Sequence, residues 1–84
     1  MITLLYFARL REAFGISSEQ IVLSPAMVNV GDLVNSLRQR GALWQDELAP
    51  SRPVRLAVNQ AMANSETPIA DGDEIAIFPP VTGG

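Results

Sequence analysis

Two apolar runs typical of β-strands stand at opposite ends of the 84-residue chain, with one clear amphipathic helix between them. The first run, Ile2 to Ala8, is almost wholly apolar, which predicts a central strand covered on both faces. The last run, Glu74 to Phe78, is again dense in apolar residues. If these two strands lie side by side in the middle of a mixed sheet, the helix covers one face of that sheet.

The helix is predicted from Asn29 to Gly41. Asn29 is a suitable N-cap, and Asp32, three residues later, stands where the acid of a capping box belongs. Gly41 is the predicted end of the helix. The apolar side chains of this segment recur at the spacing of one helical face: Val30, Leu33, Val34 and Leu37.

Shorter elements complete the pattern. Strands are predicted at Glu19–Leu23, Val54–Val58 and Ala61–Ala63, a helical turn at Arg9–Phe14 and a second short helix at Ala42–Leu48. The resulting order, β-β-α-β-β-β, indicates an α+β fold of the β-grasp type. We expect a mixed sheet of about five strands with one main helix packed across it. Residues 1–78 are the predicted domain, and residues 79–84 are a predicted extended tail.

The composition argues against several classes of function. The chain has no cysteine and no histidine, so it lacks a thiolate nucleophile, the commonest general base at neutral pH and the commonest metal ligand. A self-sufficient hydrolase or metalloenzyme is therefore disfavoured. The acids around Gly72 (Asp71, Asp73 and Glu74) indicate a tight turn, and we predict no metal site. The net charge of −3 also argues against nucleic acid as a partner.

The sequence gives no sign of a membrane segment. No stretch reaches the roughly 18–20 continuous apolar residues that a membrane-spanning helix needs. The opening run MITLLYFARLR has neither a basic segment before it nor a small-residue cleavage site after it, so it does not resemble a signal peptide. We therefore expect a cytoplasmic protein with no membrane partner.

The chain closes with FPPVTGG, Phe78 to Gly84. Pro79 and Pro80 restrict the backbone to extended geometry, so the tail should leave the last strand stiffly. Gly83 and Gly84 have no Cβ and fit a slot too narrow for other residues. The pattern predicts a carboxylate on a semi-rigid arm that enters the active site of another protein.

A carboxylate is a poor electrophile because it is anionic and has no leaving group. A partner enzyme would activate Gly84 with ATP, and the acyl-adenylate would then accept sulfur or an amine. Three classes of function stay open on this reasoning: a sulfur carrier, a ubiquitin-like protein modifier, and a β-grasp binding module with an inert tail. All six basic residues are arginines, so the chain offers no lysine for lysine-linked chains on itself.

Two stretches make the chain similar to a known family. MITLLYFARLREAFG at the start and AVNQAMANSETPIADGDEIAIFPPVTGG at the end resemble the MoaD family of ubiquitin-like sulfur carriers, the small subunits of molybdopterin synthase. The closing DGDEIAIFPPVTGG is the specific part of this resemblance. The resemblance covers nearly the whole chain. Thiamine-pathway sulfur carriers share the fold and the Gly-Gly, but they are typically shorter and lack the Phe-Pro-Pro-Val lead-in.

The resemblance implies a mechanism. A MoeB-type enzyme adenylates Gly84 with ATP and magnesium, and a sulfur donor protein converts it to a thiocarboxylate. The tail, including Gly83, then enters the large MoaE-type subunit, which holds the catalytic residues. Sulfur passes there to precursor Z (cyclic pyranopterin monophosphate) and builds the dithiolene of molybdopterin. The family also implies a heterotetramer and no cofactor on this chain. A modifier, or a carrier for thiamine or tRNA thiolation, is the alternative.

The resemblance also suggests which residues bind partners. Phe7, Met62 and Phe78 match positions where the family presents an apolar surface, although core burial of the two phenylalanines is an equally open interpretation. Arg11 is expected to pair with a partner carboxylate, with a solvated surface arginine as the alternative. The tail is expected to contribute four more partner-binding residues: Pro79, Pro80, Val81 and Thr82.

Overall fold

The computed structural model describes residues 1–80, which form five strands and three short helices. The predicted contributions of Val81, Thr82, Gly83 and Gly84 lie outside the described residues. The strands and helices follow in chain order: β1 Ile2–Tyr6, α1 Arg9–Phe14, β2 Ser18–Ile21, α2 Val30–Arg38, α3 Ala42–Glu47, β3 Arg55–Val58, β4 Ala61–Ala63 and β5 Glu74–Phe78.

The strands form one mixed sheet in the order β2-β1-β5-β3-β4. The first and last strands of the chain are neighbours and run parallel, with Leu4 beside Ile75 and Tyr6 beside Ile77. The other pairs are antiparallel. This arrangement confirms the predicted α+β fold of the β-grasp type.

The core lies on one face of this sheet. Alternate residues of β1 are buried, and Leu4 and Tyr6 belong to a cluster that also contains Leu10 of α1 and Leu33 of α2. The prediction that β1 is covered on both faces is therefore wrong. The helices pack on one side, so the intervening residues of β1, such as Leu5, are only half-buried.

The capping prediction for α2 is confirmed at its start and wrong at its end. The Asn29 side chain accepts a hydrogen bond from the backbone N–H of Asp32 at 2.8 Å. The helix ends at Arg38 because the next residue, Gln39, bonds back to Ser36 in a tighter turn. Gly41, with a φ of 149°, instead precedes the first residue of α3.

A polar and aromatic cluster fastens β2 to the helical side of the sheet. The Tyr6 hydroxyl donates a hydrogen bond to Glu19 at 2.7 Å, and both terminal nitrogens of Arg40 donate to the same carboxylate at 2.7 and 2.9 Å. The Arg40 guanidinium also lies 4.6 Å from the centroid of the Trp44 ring, which stacks on Phe14. Each polar group of the cluster thus has a partner.

The cluster shifts two pKa values in opposite directions. The hydrogen bonds from Arg40 lower the pKa of Glu19 below its ordinary value, against the opposing effect of partial burial. Burial, followed by the hydrogen bond to Glu19, raises the pKa of Tyr6. The folded state therefore favours a charged Glu19 beside a neutral tyrosine.

We predict that Glu19→Gln lowers the free energy of unfolding at pH 7 by about 1 kcal/mol, because the variant loses charge-assisted hydrogen bonds. Because the folded-state pKa of Glu19 is lowered, its contribution is present above the ordinary glutamate pKa of about 4.3 and is lost as the pH falls through the folded-state pKa. Urea unfolding across this range should show wild type and variant converging at low pH.

The matched control is Glu66→Gln, which changes an exposed glutamate whose side chain forms no ion pair among residues 1–80. This variant should follow wild type at every pH. A difference between wild type and Glu19→Gln that stays constant from neutral to acid pH would contradict the assigned role of the carboxylate.

Candidate functional site

The sheet surface opposite the helices carries a band of apolar side chains, and we call this surface the open face. The strand register places six apolar side chains there: Leu5, Phe7, Ala57, Met62, Ala76 and Phe78. One row runs straight across four strands, because Leu5 pairs with Ala76, Ala76 with Ala57 and Ala57 with Met62. Large apolar surfaces of this kind mark interaction sites when they stay uncovered.

The side chains of this row are small in the middle of the sheet and large and exposed at one edge strand. Its two central residues are alanines, and Ala57 is only 7% exposed. At the edge strand β4, Met62 is 64% exposed, which confirms its predicted place on the surface. A methionine side chain is unbranched and adapts to differently shaped partners. The open face is therefore shallowly concave over the alanines, and the flexible Met62 side chain borders it on one side.

The two phenylalanines of the open face form a pair. The rings of Phe7 and Phe78 are 6.3 Å apart between centroids and nearly perpendicular, at 86°. Phe7 is 42% exposed and Phe78 is half-buried, so neither is a core residue. The parallel pairing of β1 with β5 brings the ends of both strands to the same edge of the sheet.

A cleft of about 560 Å³ opens beside this pair. Its walls are apolar and come from the ends of β1 and β5 and from the two prolines that follow β5: Phe7, Ala8, Ala76, Phe78, Pro79 and Pro80. The predicted tail therefore begins within the cleft, and both prolines belong to the candidate site. A partner that fills this cleft would contact the open face and the root of the tail together.

Ala8 connects the cleft to α1 through a strained turn. Its φ of 53° and ψ of −126° lie in a region that glycine favours at the second position of a type II′ turn. The turn is closed by a hydrogen bond from the Leu10 N–H to the Phe7 carbonyl at 3.1 Å. Strained backbone of this kind is often retained beside functional sites.

Arg11 lies on α1, is exposed and forms no ion pair within residues 1–80. Its neighbour Arg9 is instead held by Glu47, with 3.1 Å between Nε and Oε1. Arg11 thus has a free guanidinium in the part of the chain that the structure describes, and its role as a partner contact stays a prediction.

Within residues 1–80, no three histidine, cysteine or acidic side chains come together as a ligand group. None of the three helices described there has the length and apolarity to cross a bilayer. Asp71 and Gly72 instead form a turn, as the sequence predicts.

Sequence reasoning missed part of the open face. Leu5 and Ala76 lie two residues before Phe7 and Phe78, so strand alternation places them on the same face. The assumption that β1 is covered on both sides hid this signal. Ala57 depends on the pairing of β3 with both neighbours, which a single sequence does not reveal.

We predict that Ala8→Gly stabilises the fold by about 1 kcal/mol. Relief of the strained backbone raises the free energy of unfolding by roughly 1–3 kcal/mol. The greater conformational freedom of glycine in the unfolded chain lowers it by about 0.4–1 kcal/mol. Ala13→Gly, at an ordinary helical position within the adjoining α1, is the control and should destabilise by about 1 kcal/mol. Thermal unfolding of both variants tests the assignment, which fails if the two shifts have the same sign.

Comparison with known proteins places this geometry in a family. A model of the ThiS family matches residues 4–84. The molybdopterin synthase sulfur carrier subunit of Escherichia coli is 37% identical over 87 residues, covering all of both chains. The subunit of the same description from Haemophilus influenzae is 36% identical over 84 residues, again with full coverage of both.

Solved structures of other proteins align with most of the chain. A chain from the complex of subunits 1 and 2 of the molybdopterin-converting factor of Helicobacter pylori aligns with a TM-score of 0.66 at 25% identity, covering 99% of this chain and 97% of the other. Small archaeal modifier protein 1 of Haloferax volcanii aligns with a TM-score of 0.69 at 25% identity, covering 95% and 97%. The chain therefore belongs to the ThiS family and, as its resemblance to the MoaD family indicated, groups with the molybdopterin synthase sulfur carrier subunits.

Proposed function

We propose that the chain is the sulfur carrier subunit of a molybdopterin synthase. Gly84 is adenylated, converted to a thiocarboxylate, and donates sulfur to precursor Z (cyclic pyranopterin monophosphate). Two such transfers build the dithiolene of molybdopterin. The full-length identity of 36–37% to molybdopterin synthase sulfur carrier subunits supports this assignment.

The observation that carries the proposal is the continuity between the open face and the tail. Phe78 belongs to the apolar pair, and the next two residues, Pro79 and Pro80, line the cleft. Four residues separate Pro80 from the Gly84 carboxylate, so the carboxylate reaches at most about 14 Å beyond the docked body. When a partner binds the open face, the Gly84 carboxylate would thus lie within about 14 Å of Pro80.

In this mechanism the chain supplies the sulfur and its partners supply the catalysis. The Gly84 carboxylate attacks the α-phosphorus of ATP and releases pyrophosphate. Sulfur from the donor then displaces AMP. The chain has no cysteine or histidine with which to promote either step, so the base, the magnesium and the sulfur source belong to the partners.

Two partners would use the open face in turn. A MoeB-type adenylating enzyme would bind the chain first, and a large MoaE-type subunit would bind the thiocarboxylated form in a heterotetramer of two small and two large subunits. The Helicobacter pylori relative was solved as a complex of subunits 1 and 2, which supports a second subunit as partner. The exposed Met62 suits a surface that repacks between partners. We place both steps in the cytoplasm.

A protein modifier is the second candidate. The alignment with small archaeal modifier protein 1 favours it, because the fold and the activation chemistry would be shared. Its identity of 25% is lower than the 36–37% of the sulfur carrier subunits, and this chain has no lysine to extend lysine-linked chains. A carrier for another pathway, such as thiamine synthesis or tRNA thiolation, would differ in the acceptor of sulfur.

We predict that deleting Gly83 and Gly84 leaves the unfolding temperature unchanged and abolishes adenylation. The tail is proposed to supply chemistry and the body to supply docking, so ATP–pyrophosphate exchange with the adenylating enzyme should disappear. The truncated chain should still compete with the full-length carrier for the large subunit, which serves as the control for an intact docking face. Normal exchange by the truncated chain, or its failure to fold, would contradict the proposal.

A further inference from the structure

Arg55 is a cation within the apolar open face. It is the first residue of β3, pairs across the sheet with Phe78 and points to the same side as Ala57. Its side chain is exposed, and its guanidinium forms no hydrogen bond or ion pair with any residue in the range 1–80. Nothing in the described fold therefore accounts for a charge at this position.

Other arginines of the chain have partners within the fold. Arg9 bonds to Glu47, Arg40 to Glu19, and Arg52 to Asp46 and Glu47. Arg38 donates to the Leu48 carbonyl at 2.7 Å. Arg11 is also unpaired within residues 1–80, but it lies on α1 and outside the sheet. Arg55 thus stands alone as the described cation on the open face.

An acid on the same face is too distant to pair with Arg55. Glu74 begins β5, whereas the register partner of Arg55 is Phe78, four residues along the same strand. At about 3.3 Å per residue, the two positions are roughly 13 Å apart. The backbone N–H of Glu74 donates a hydrogen bond to the side-chain oxygen of Asn59 at 3.0 Å, which holds the start of β5 at this distance from Arg55.

A partner that covers the open face must also cover Arg55. Removing a guanidinium from water is costly unless an opposite charge or hydrogen-bond acceptors replace the water. The planar fork of arginine fits a carboxylate through two parallel hydrogen bonds. A partner packed on Phe78 and Ala57, the open-face neighbours of Arg55, would exclude water and so strengthen such a pair.

We propose that Arg55 is a specificity residue that selects a protein partner presenting an aspartate or glutamate opposite it, within an otherwise apolar surface. This inference rests on the proposed function and names the chemistry of the partner. The carboxylate belongs to the large synthase subunit, and the pair aligns that subunit with the Phe7–Phe78 end of the face. A partner without this acid would leave Arg55 buried and unpaired.

The test is Arg55→Leu, measured by titration calorimetry against the large subunit from the same organism. Leucine extends the apolar face, so a wholly apolar partner surface would bind the variant equally well or more tightly. A partner carboxylate would instead be left buried without its cation, and affinity should fall at least roughly tenfold. An apolar partner surface therefore predicts unchanged or tighter binding of Arg55→Leu, whereas a partner carboxylate predicts weaker binding.

Three further variants separate the effects of charge, of guanidinium geometry and of an added apolar side chain. Arg55→Lys keeps the charge but not the fork and should lose less affinity than Arg55→Leu. Gln45→Leu adds an exposed leucine on α3, on the other side of the sheet, and should bind as wild type does. If Arg55→Leu fails to fold, Arg55→Gln removes the charge with a polar side chain and should show the same direction of change.

The outcomes separate this inference from the proposed function. Wild type that binds the large subunit and transfers sulfur, with Arg55→Leu binding equally or more tightly, overturns the role of Arg55 alone. Wild type that neither binds the large subunit nor transfers sulfur overturns the proposed function and this inference with it. Weaker binding by Arg55→Leu at unchanged unfolding temperature, with less salt dependence than wild type, supports the inference.

Discussion

The parallel pairing of β1 with β5 is the constraint on which the rest of the structure depends. It joins the first and last strands in the middle of the sheet and aligns their buried residues, Leu4 with Ile75 and Tyr6 with Ile77. It also brings Phe7 and Phe78 together, because both side chains lie at the same edge of the sheet. The helices cover one face of the sheet. The chain leaves β5 through Pro79 and Pro80, which lie beside the open face.

This arrangement separates stability from docking. The side chains that hold the fold together lie between the sheet and the helices, where the core and the cluster around Tyr6 are found. The open face contributes little to that core and so is available to partners. The carrier proposed above would benefit from this division, because changes on the open face could tune recognition of a partner without loss of the fold.

The sequence predicts the fold well where the signal is local. The N-cap at Asn29 follows from hydrogen-bonding groups a few residues apart, and the order of the strands along the chain follows from apolar runs. The predicted end of α2 is wrong because Gly41 is compatible with either ending one helix or preceding the next. The predicted coverage of β1 on both faces is wrong because an apolar run does not reveal whether helices pack on both faces of the strand or on one.

The candidate site likewise combines features that the sequence indicates with features that only the fold reveals. Phe7, Met62 and Phe78 were proposed from family resemblance, and the structure confirms only that they share an uncovered face. Ala8 has no sequence signal, because an alanine shows nothing of its backbone strain. Arg55 becomes informative only when the register places it beside Phe78, a contact between distant parts of the chain.

The most direct test of the central claim is the chemical state of Gly84 in protein isolated from its native host. Intact mass is insufficient because oxidation of a methionine closely mimics the replacement of oxygen by sulfur, so the C-terminal peptide must be fragmented. The account predicts sulfur in place of one carboxylate oxygen on Gly84. Gly84 joined through an amide bond to lysines of other proteins would contradict it and identify the chain as a modifier.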